Sequence, residues 1–284
     1  MQMKGHGMKP ESHGAILVVA TGTTRKEGRA VVEKCMSRMQ MLYPHAEVSF
    51  AFTSEAVRRV LKEDGEEVFG PLAAITRLLD AGHAQVVVQP LCLVPGAGYH
   101  ELYQLIASLN ELAGAHGVGR FDGVLISRPL LMNPEDYTEA AEVITALSRR
   151  ILAEGEALVL VSPGSEGGAD PALCQMQMVL DDCVPSGRIV IGAVGGYPGI
   201  QRTLSRLEHI GVKSVRLVPF ALVAGIHEWM EISGETNPES WKTVLESNGY
   251  AVTVEEKAFG EFDEVLAVFP GRLQETAGTH GFLK

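Results

Sequence analysis

His227 is the residue whose type and position most clearly suggest chemistry. It follows Ala224 and Gly225 at the end of an apolar run, where a buried strand is expected to leave its sheet. A neutral imidazole binds borderline divalent metals and accepts a proton near neutral pH. The alternative interpretation is a partly buried histidine bonded to a backbone carbonyl. We predict that His227 is a metal ligand and a proton acceptor.

Two turns that follow apolar runs carry glycine and hydroxyl residues. They are residues 20–25 (ATGTTR) and 162–166 (SPGSE). Backbone N–H groups at such a turn, next to a helix N-terminus, favour an anionic ligand group. Neither turn has the spacing of a Walker A or GxGxxG motif, so no nucleotide is predicted. Alternatively, these glycines serve only tight turn geometry. The first-turn residues expected to contact a ligand are Thr21, Gly22 and Thr23.

Two arginines near predicted strand ends, Arg25 and Arg202, are candidates for binding an acidic ligand. The chain has 35 acidic and 24 basic residues, for a net charge of -11, so an acidic ligand would need locally concentrated cations. A guanidinium group can donate two parallel hydrogen bonds to one carboxylate. We predict that both arginines bind substrate carboxylates, although most arginines in such settings are solvated surface residues.

The elements that must position these residues come in two similar sets. Residues 86–96 (VVVQPLCLVPG) resemble residues 215–225 (VRLVPFALVAG), and ILVVATGTT near the start resembles LVLVSPGSE in the second half. Short apolar runs alternate with amphipathic stretches, which is typical of parallel sheets covered on both faces. The ligand of such a protein usually lies where strand ends meet. We therefore predict two α/β halves with a cleft between them.

Periodicity and capping residues indicate where the individual elements lie. One helix is predicted over 54–63, which starts at an N-cap serine, and another over 71–81, which starts with a proline. Further helices are predicted over 135–153 and from Asp170 onwards. The predicted domains are a flexible arm at 1–14 and the two halves at 15–150 and 151–284. The predicted strands are 15–20, 47–52, 85–90, 121–126, 157–161, 188–193 and 214–219.

Composition excludes several classes of protein. The acidic balance argues against nucleic acid or an anionic membrane as a partner. No apolar run approaches the roughly 20 residues that span a bilayer, and the polar first residues do not resemble a secretory signal. The four cysteines lack metal-type spacing and fit a reducing compartment. These features predict a cytoplasmic protein. They do not determine the oligomeric state, and a homo-oligomer is possible.

At these strand-end segments the sequence resembles the anaerobic sirohydrochlorin cobaltochelatases, which are class II tetrapyrrole chelatases. The resemblance runs through nearly the whole chain after the N-terminal arm. It implies two chelatase-like halves, each a mainly parallel sheet flanked by helices, with a tetrapyrrole cleft between them. It also implies substrate contacts by Val94, Pro95, Gly96 and Tyr197. The matching segments are VVATGTT, AFTSEAVRRVLKEDG, VVVQPLCLVPGAGYHEL, VGGYPGIQRTLSRLEHIGVKSVRLVPFALVAGIH and SWKTVLESNGY.

The resemblance also identifies the expected metal ligands. In the family, three second-half residues usually hold the metal: a histidine in a GHG-type turn, a glutamate just before GYP, and the histidine of AGxH. The third is His227 here, whereas Pro163 and Gly195 stand at the other two positions. Neither proline nor glycine has a side-chain donor atom. Glu166, which follows the altered turn, is predicted to assist His227.

Three functions remain open at this point. The resemblance implies a lyase that inserts a divalent metal, Co²⁺ above all, into a tetrapyrrole during anaerobic cobalamin biosynthesis, with the metal as substrate. The substituted ligand positions favour a homologue that binds a tetrapyrrole or haem and has lost metal insertion. A structural protein without a small ligand is the third. We adopt the chelatase as the main prediction and leave open whether the chain is an active enzyme.

Overall fold

Two four-stranded parallel sheets, one in each half of the chain, form the framework of the computed structural model. The structure describes residues 14–113, 121–164, 168, 170–234 and 236–283, so nearly all of the predicted N-terminal arm lies outside it. The strands are β1 (Ala15–Ala20), β2 (Glu47–Phe52), β3 (Gln85–Pro90), β4 (Gly123–Ile126), β5 (Glu156–Gly164), β6 (Ile189–Gly195), β7 (Ser214–Pro219) and β8 (Ala251–Val254).

The two sheets have equivalent strand orders, β2-β1-β3-β4 and β6-β5-β7-β8. The two prolines of the sequence repeat occupy equivalent positions in them. Val19 of β1 is in register with Pro90 of β3, and Val161 of β5 is in register with Pro219 of β7. The predicted pair of similar α/β halves is therefore confirmed, and the carboxyl ends of the central strands carry the motifs identified above.

Helices cover both sheets. Ser54 caps the second helix by accepting a hydrogen bond from the N–H of Val57, as predicted, and Pro71 begins the third. The helices are α1 (Lys26–Leu42), α2 (Glu55–Glu63), α3 (Pro71–Asp80), α4 (Ala97–Glu111), α5 (Pro134–Ile151), α6 (Asp170–Cys183), α7 (Ile200–Ile210), α8 (Ile226–Ser233), α9 (Trp241–Ser247), α10 (Asp263–Leu266) and α11 (Phe269–His280).

Burial explains which strands could be predicted. All six residues of β1 are buried, so that strand reads as one apolar run. Strand β8 was not predicted, because it is a short edge strand whose residues alternate between exposed and half-buried. Strand β5 continues to Gly164, three residues beyond its predicted end.

The C-terminal segment returns to the first half of the molecule. Helix α11 packs against β3, β4 and α1, and α10 contacts α1 and α5. The boundary predicted at residue 150 stays a prediction. Within the described ranges no helix is long and apolar enough to cross a membrane.

Candidate functional site

A cavity of about 510 Å³ lies at the carboxyl ends of β1 and β3, and we call it the cleft cavity. Three of the predicted substrate contacts, Thr21, Val94 and Gly96, line it. Gly164 at the end of β5 also lines it, so the second half contributes to its wall. The cavity therefore belongs mainly to the first half and meets the second half at Gly164.

Two titratable side chains, Cys92 and Tyr99, lie in the wall of the cleft cavity. The pKa of the Cys92 thiol is raised to about 12 by burial. The pKa of the Tyr99 phenol is also raised to about 12, by burial first and then by Cys92 and Tyr103. Because both groups keep their protons near neutral pH, neither accepts a proton there.

His227 lies in the first turn of α8, on the second half. The N–H of Gly225 donates to Oε2 of Glu228 over 2.9 Å, which fixes the helix start and turns Glu228 back toward the chain. The side chain of His227 is 84% exposed, and its Nε2 lies 3.2 Å from Oε1 of Glu231. The imidazole is thus not a buried group bonded to a carbonyl. It is an accessible group with a carboxylate beside it.

Helix α8 abuts the turn that follows β1. The hydroxyl of Thr23 donates to the carbonyl of Ala224 over 3.4 Å, and the Arg25 guanidinium lies 4.7 Å from the centre of the Trp229 ring. At Gly28, a Cβ atom would lie 3.1 Å from the same Ala224 carbonyl. Thr23 and Arg25 therefore join the two halves, and Arg25 stacks on an aromatic ring of the opposite half.

Gly22 and Pro95 are two further predicted substrate contacts, and their surroundings differ from those of Thr21, Val94 and Gly96. Gly22 has a φ of +101°, and a Cβ atom there would lie 2.6 Å from the Phe52 ring. This glycine is required by the turn itself, whatever it contacts. Pro95 is half-buried in the loop between β3 and α4.

Tyr197 and Arg202 lie apart from the cleft cavity. Both line a smaller cavity of about 230 Å³ that α6, β6 and α7 enclose, together with the ion pair of Arg206 and Asp181. The structure therefore does not bring these two residues together with Thr21 and Val94. Glu166, the predicted helper of His227, lies outside the described residues.

Pro163 and Gly195, at the two positions where the resemblance places metal ligands, lie at the ends of adjacent strands. Gly164, which follows Pro163, is in register with Gly195 in the β5–β6 pair. Among the residues that the structure describes, no three His, Cys, Asp or Glu side chains are arranged to hold one metal ion. His227 and Glu231 remain as a pair of neighbouring donors. Sequence reasoning missed Glu231, although its four-residue spacing from His227, which puts both side chains on one face of a helix, was the available signal.

Comparisons with known proteins agree with this fold. Residues 14–278 match the family model described as Cobalt chelatase (CbiK). The sirohydrochlorin cobaltochelatase CbiKC of Nitratidesulfovibrio vulgaris is 28% identical over 247 residues, which cover 85% of this chain and 84% of the relative. The sirohydrochlorin cobaltochelatase of Salmonella typhimurium is 27% identical over 266 residues, which cover 92% of this chain and 95% of the relative.

Solved structures extend the likeness to three dimensions. SirB from Bacillus subtilis with Fe³⁺ aligns with a TM-score of 0.64 at 16% identity and covers 95% of this chain and 98% of its own. A sirohydrochlorin chelatase SirB in complex with cobalt, from Bacillus subtilis subspecies spizizenii, aligns with a TM-score of 0.63 at 15% identity, over 94% of this chain and 96% of its own. At this identity the likeness concerns the fold. Because the family model matches residues 14–278 of the 284 residues, the chain belongs to the cobalt chelatase (CbiK) family.

Proposed function

We propose that this protein inserts Co²⁺ into sirohydrochlorin, the tetrapyrrole that appears in the names of the two relatives described above. The observation that carries the proposal is the family match over residues 14–278. The geometry supports it, because a cavity at the carboxyl ends of β1 and β3, with Gly164 of the second half in its wall, is where such folds bind ligands. The acidic composition and the four free cysteines support a cytoplasmic location.

Metal insertion sets three requirements. The macrocycle must be held, Co²⁺ must reach its centre, and the two protons that Co²⁺ displaces from the pyrrole nitrogens must be accepted. In our proposal, the apolar lining of the cleft cavity, including Val94, packs against the ring. Backbone N–H groups of the turn from Thr21 to Thr23 bind ring carboxylates, and Arg25 adds positive charge at the junction of the halves.

His227 meets the remaining requirements in this proposal. Its exposed imidazole binds Co²⁺ and accepts a pyrrole proton, and the Glu231 carboxylate 3.2 Å away stabilises the imidazolium that forms. Cys92 and Tyr99 stay protonated near neutral pH, since burial raises the pKa of each to about 12, and they therefore do not accept the pyrrole proton. We assign the second proton to Glu166, which the sequence predicts as the helper of His227.

One observation favours a second candidate, a homologue that binds the tetrapyrrole without inserting metal. High affinity for a metal ion requires several donor atoms held in a fixed geometry. Pro163 and Gly195 supply no side-chain donors at the two positions that the family usually fills. Within the described part of the chain no three donors converge on one point.

Anaerobic absorbance spectroscopy separates the two candidates. Purified protein is mixed with sirohydrochlorin, with and without Co²⁺, and compared with a control lacking protein. We expect protein-dependent formation of the cobalt product. His227→Ala should slow it by about 100-fold or more, the usual effect of losing a proton acceptor. His209→Ala, an exposed histidine at the end of α7, is the matched control and should behave as wild type. A shifted ligand spectrum without acceleration over the control would refute insertion and favour the second candidate.

A further inference from the structure

A second cavity adjoins the cleft cavity on the first half. It has a volume of about 750 Å³, and we call it the side groove. Its walls come from the starts of α3 and α4 and from α2, and it shares Thr53, Gly98 and Leu102 with the cleft cavity. A ligand in the cleft cavity therefore has direct access to the side groove.

Arg58 places a fixed positive charge in this groove. Its Nη1 donates to the carbonyl oxygen of Phe52 over 2.5 Å and to that of Thr53 over 2.7 Å. The guanidinium packs on Gly70, where a Cβ atom would lie only 3.2 Å from Cζ of Arg58. These contacts hold the group in place and leave the hydrogens on Nε and Nη2 for another acceptor.

No acidic residue neutralises this charge within the structure as described. Among the described residues, the ion pairs of the first half include that of Arg29 with Glu66 and that of Arg128 with Asp136, but none involves Arg58. The one acidic side chain in the described lining of the groove, Glu101, is exposed. A positioned guanidinium without a carboxylate partner is suited to bind a carboxylate of a ligand.

We propose that the side groove is a carboxylate-binding extension of the tetrapyrrole cleft, in which Arg58 binds one acidic arm of the macrocycle. The inference rests on the proposed function, because it takes the cleft ligand to be a tetrapyrrole with acidic side chains. Leu72, Leu102 and Leu105 line the groove and pack against the methylene groups of the arm. Since the guanidinium is already held by two carbonyls, binding costs little side-chain entropy.

The test is an anaerobic titration of sirohydrochlorin without metal, followed by absorbance. Arg58→Leu should weaken binding by about 10-fold or more, because hydrogen bonds to a charged group are lost. Arg59→Leu, an exposed neighbour on the same helix, is the matched control and should bind as wild type. Glu101→Gln should strengthen binding about twofold or more, because it removes a like charge from the groove. The methyl ester of sirohydrochlorin should not distinguish Arg58→Leu from wild type.

Further variants and assays keep the outcomes separable. Arg58→Lys retains the charge but not the planar fork, and should bind with intermediate affinity; it replaces Arg58→Leu if circular dichroism shows that variant unfolded. Equal binding by wild type, Arg58→Leu and Arg59→Leu overturns the inference, even if wild type inserts Co²⁺. Weakened binding by Arg58→Leu supports it even if wild type inserts no metal, in which case only the insertion proposal fails. Absence of binding by wild type overturns both.

Discussion

Replacing Arg272 should destabilise the protein strongly, because this arginine ties α11 to α5 from a buried position. Its side chain is 2% exposed and forms an ion pair with Asp136, which is also 2% exposed. It also donates to Oε2 of Glu139 over 2.9 Å. Burial alone would raise the pKa of Asp136, but the N–H of Asn133 and the guanidinium groups of Arg272 and Arg128 hold that pKa below its ordinary value.

The size of the effect follows from what Arg272→Leu leaves behind. The Asp136 carboxylate stays buried and retains one cation, Arg128, whose Nε lies 3.1 Å away. Removing one partner from a buried ion pair costs about 3–5 kcal/mol. Unfolding entropy is about 2.1 cal/mol/K per residue, or roughly 0.6 kcal/mol/K for 284 residues. The melting temperature should therefore fall by about 5–8 °C.

Urea and thermal unfolding, followed by circular dichroism, measure this loss. Arg149→Leu, an exposed arginine on the same α5, is the control and should change the free energy of unfolding by less than about 0.5 kcal/mol. The double variant Arg272→Leu with Asp136→Asn should lose less stability than the sum of the two single variants, because both replacements remove the same ion pair. A loss below about 1 kcal/mol for Arg272→Leu would refute the reasoning.

The same network predicts the direction of acid sensitivity. Because the folded-state pKa of Asp136 is depressed, the unfolded state binds a proton more readily in acid. The stabilisation is therefore complete above about pH 4, near the ordinary pKa of aspartate, and is lost as pH falls through the lower folded-state value. Arg272→Leu should show a shallower loss over that range, measured as the free energy of unfolding against pH.

Two other predictions concern the cleft cavity. Gly164→Ala should destabilise more than Gly155→Ala, because both have positive φ, at +91° and +79°, but only at Gly164 would a Cβ atom collide, 1.8 Å from the Gly195 carbonyl oxygen. Chemical denaturation measures this, and equal losses would contradict the clash. At pH 8, iodoacetamide should label exposed Cys183 but spare Cys92, whose pKa burial raises to about 12. Mass spectrometry identifies the labelled site, and modification of Cys92 at a comparable rate would contradict its raised pKa.

The amino-acid sequence determined the local elements and their grouping into two α/β halves. Buried strands such as β1 (Ala15–Ala20) are continuous apolar runs, so their type and ends follow from neighbouring residues. Ser54 and Pro71 begin helices through interactions within one turn, which sequence spacing reveals. The ordered motifs around His227 led to the chelatase family, and the family match confirmed it.

Only the tertiary structure decided which of those motifs share a site. The contact between Thr23 and Ala224 joins residues 201 positions apart, and no local pattern reports such a separation. Tyr197 follows a strand end as Thr21 does, yet it lines a different cavity, together with residues of α6 and α7. The fixed charge of Arg58 likewise depends on backbone carbonyls at the end of β2. Sequence periodicity reports which face of an element is buried, whereas the packing of both halves decides what that face meets.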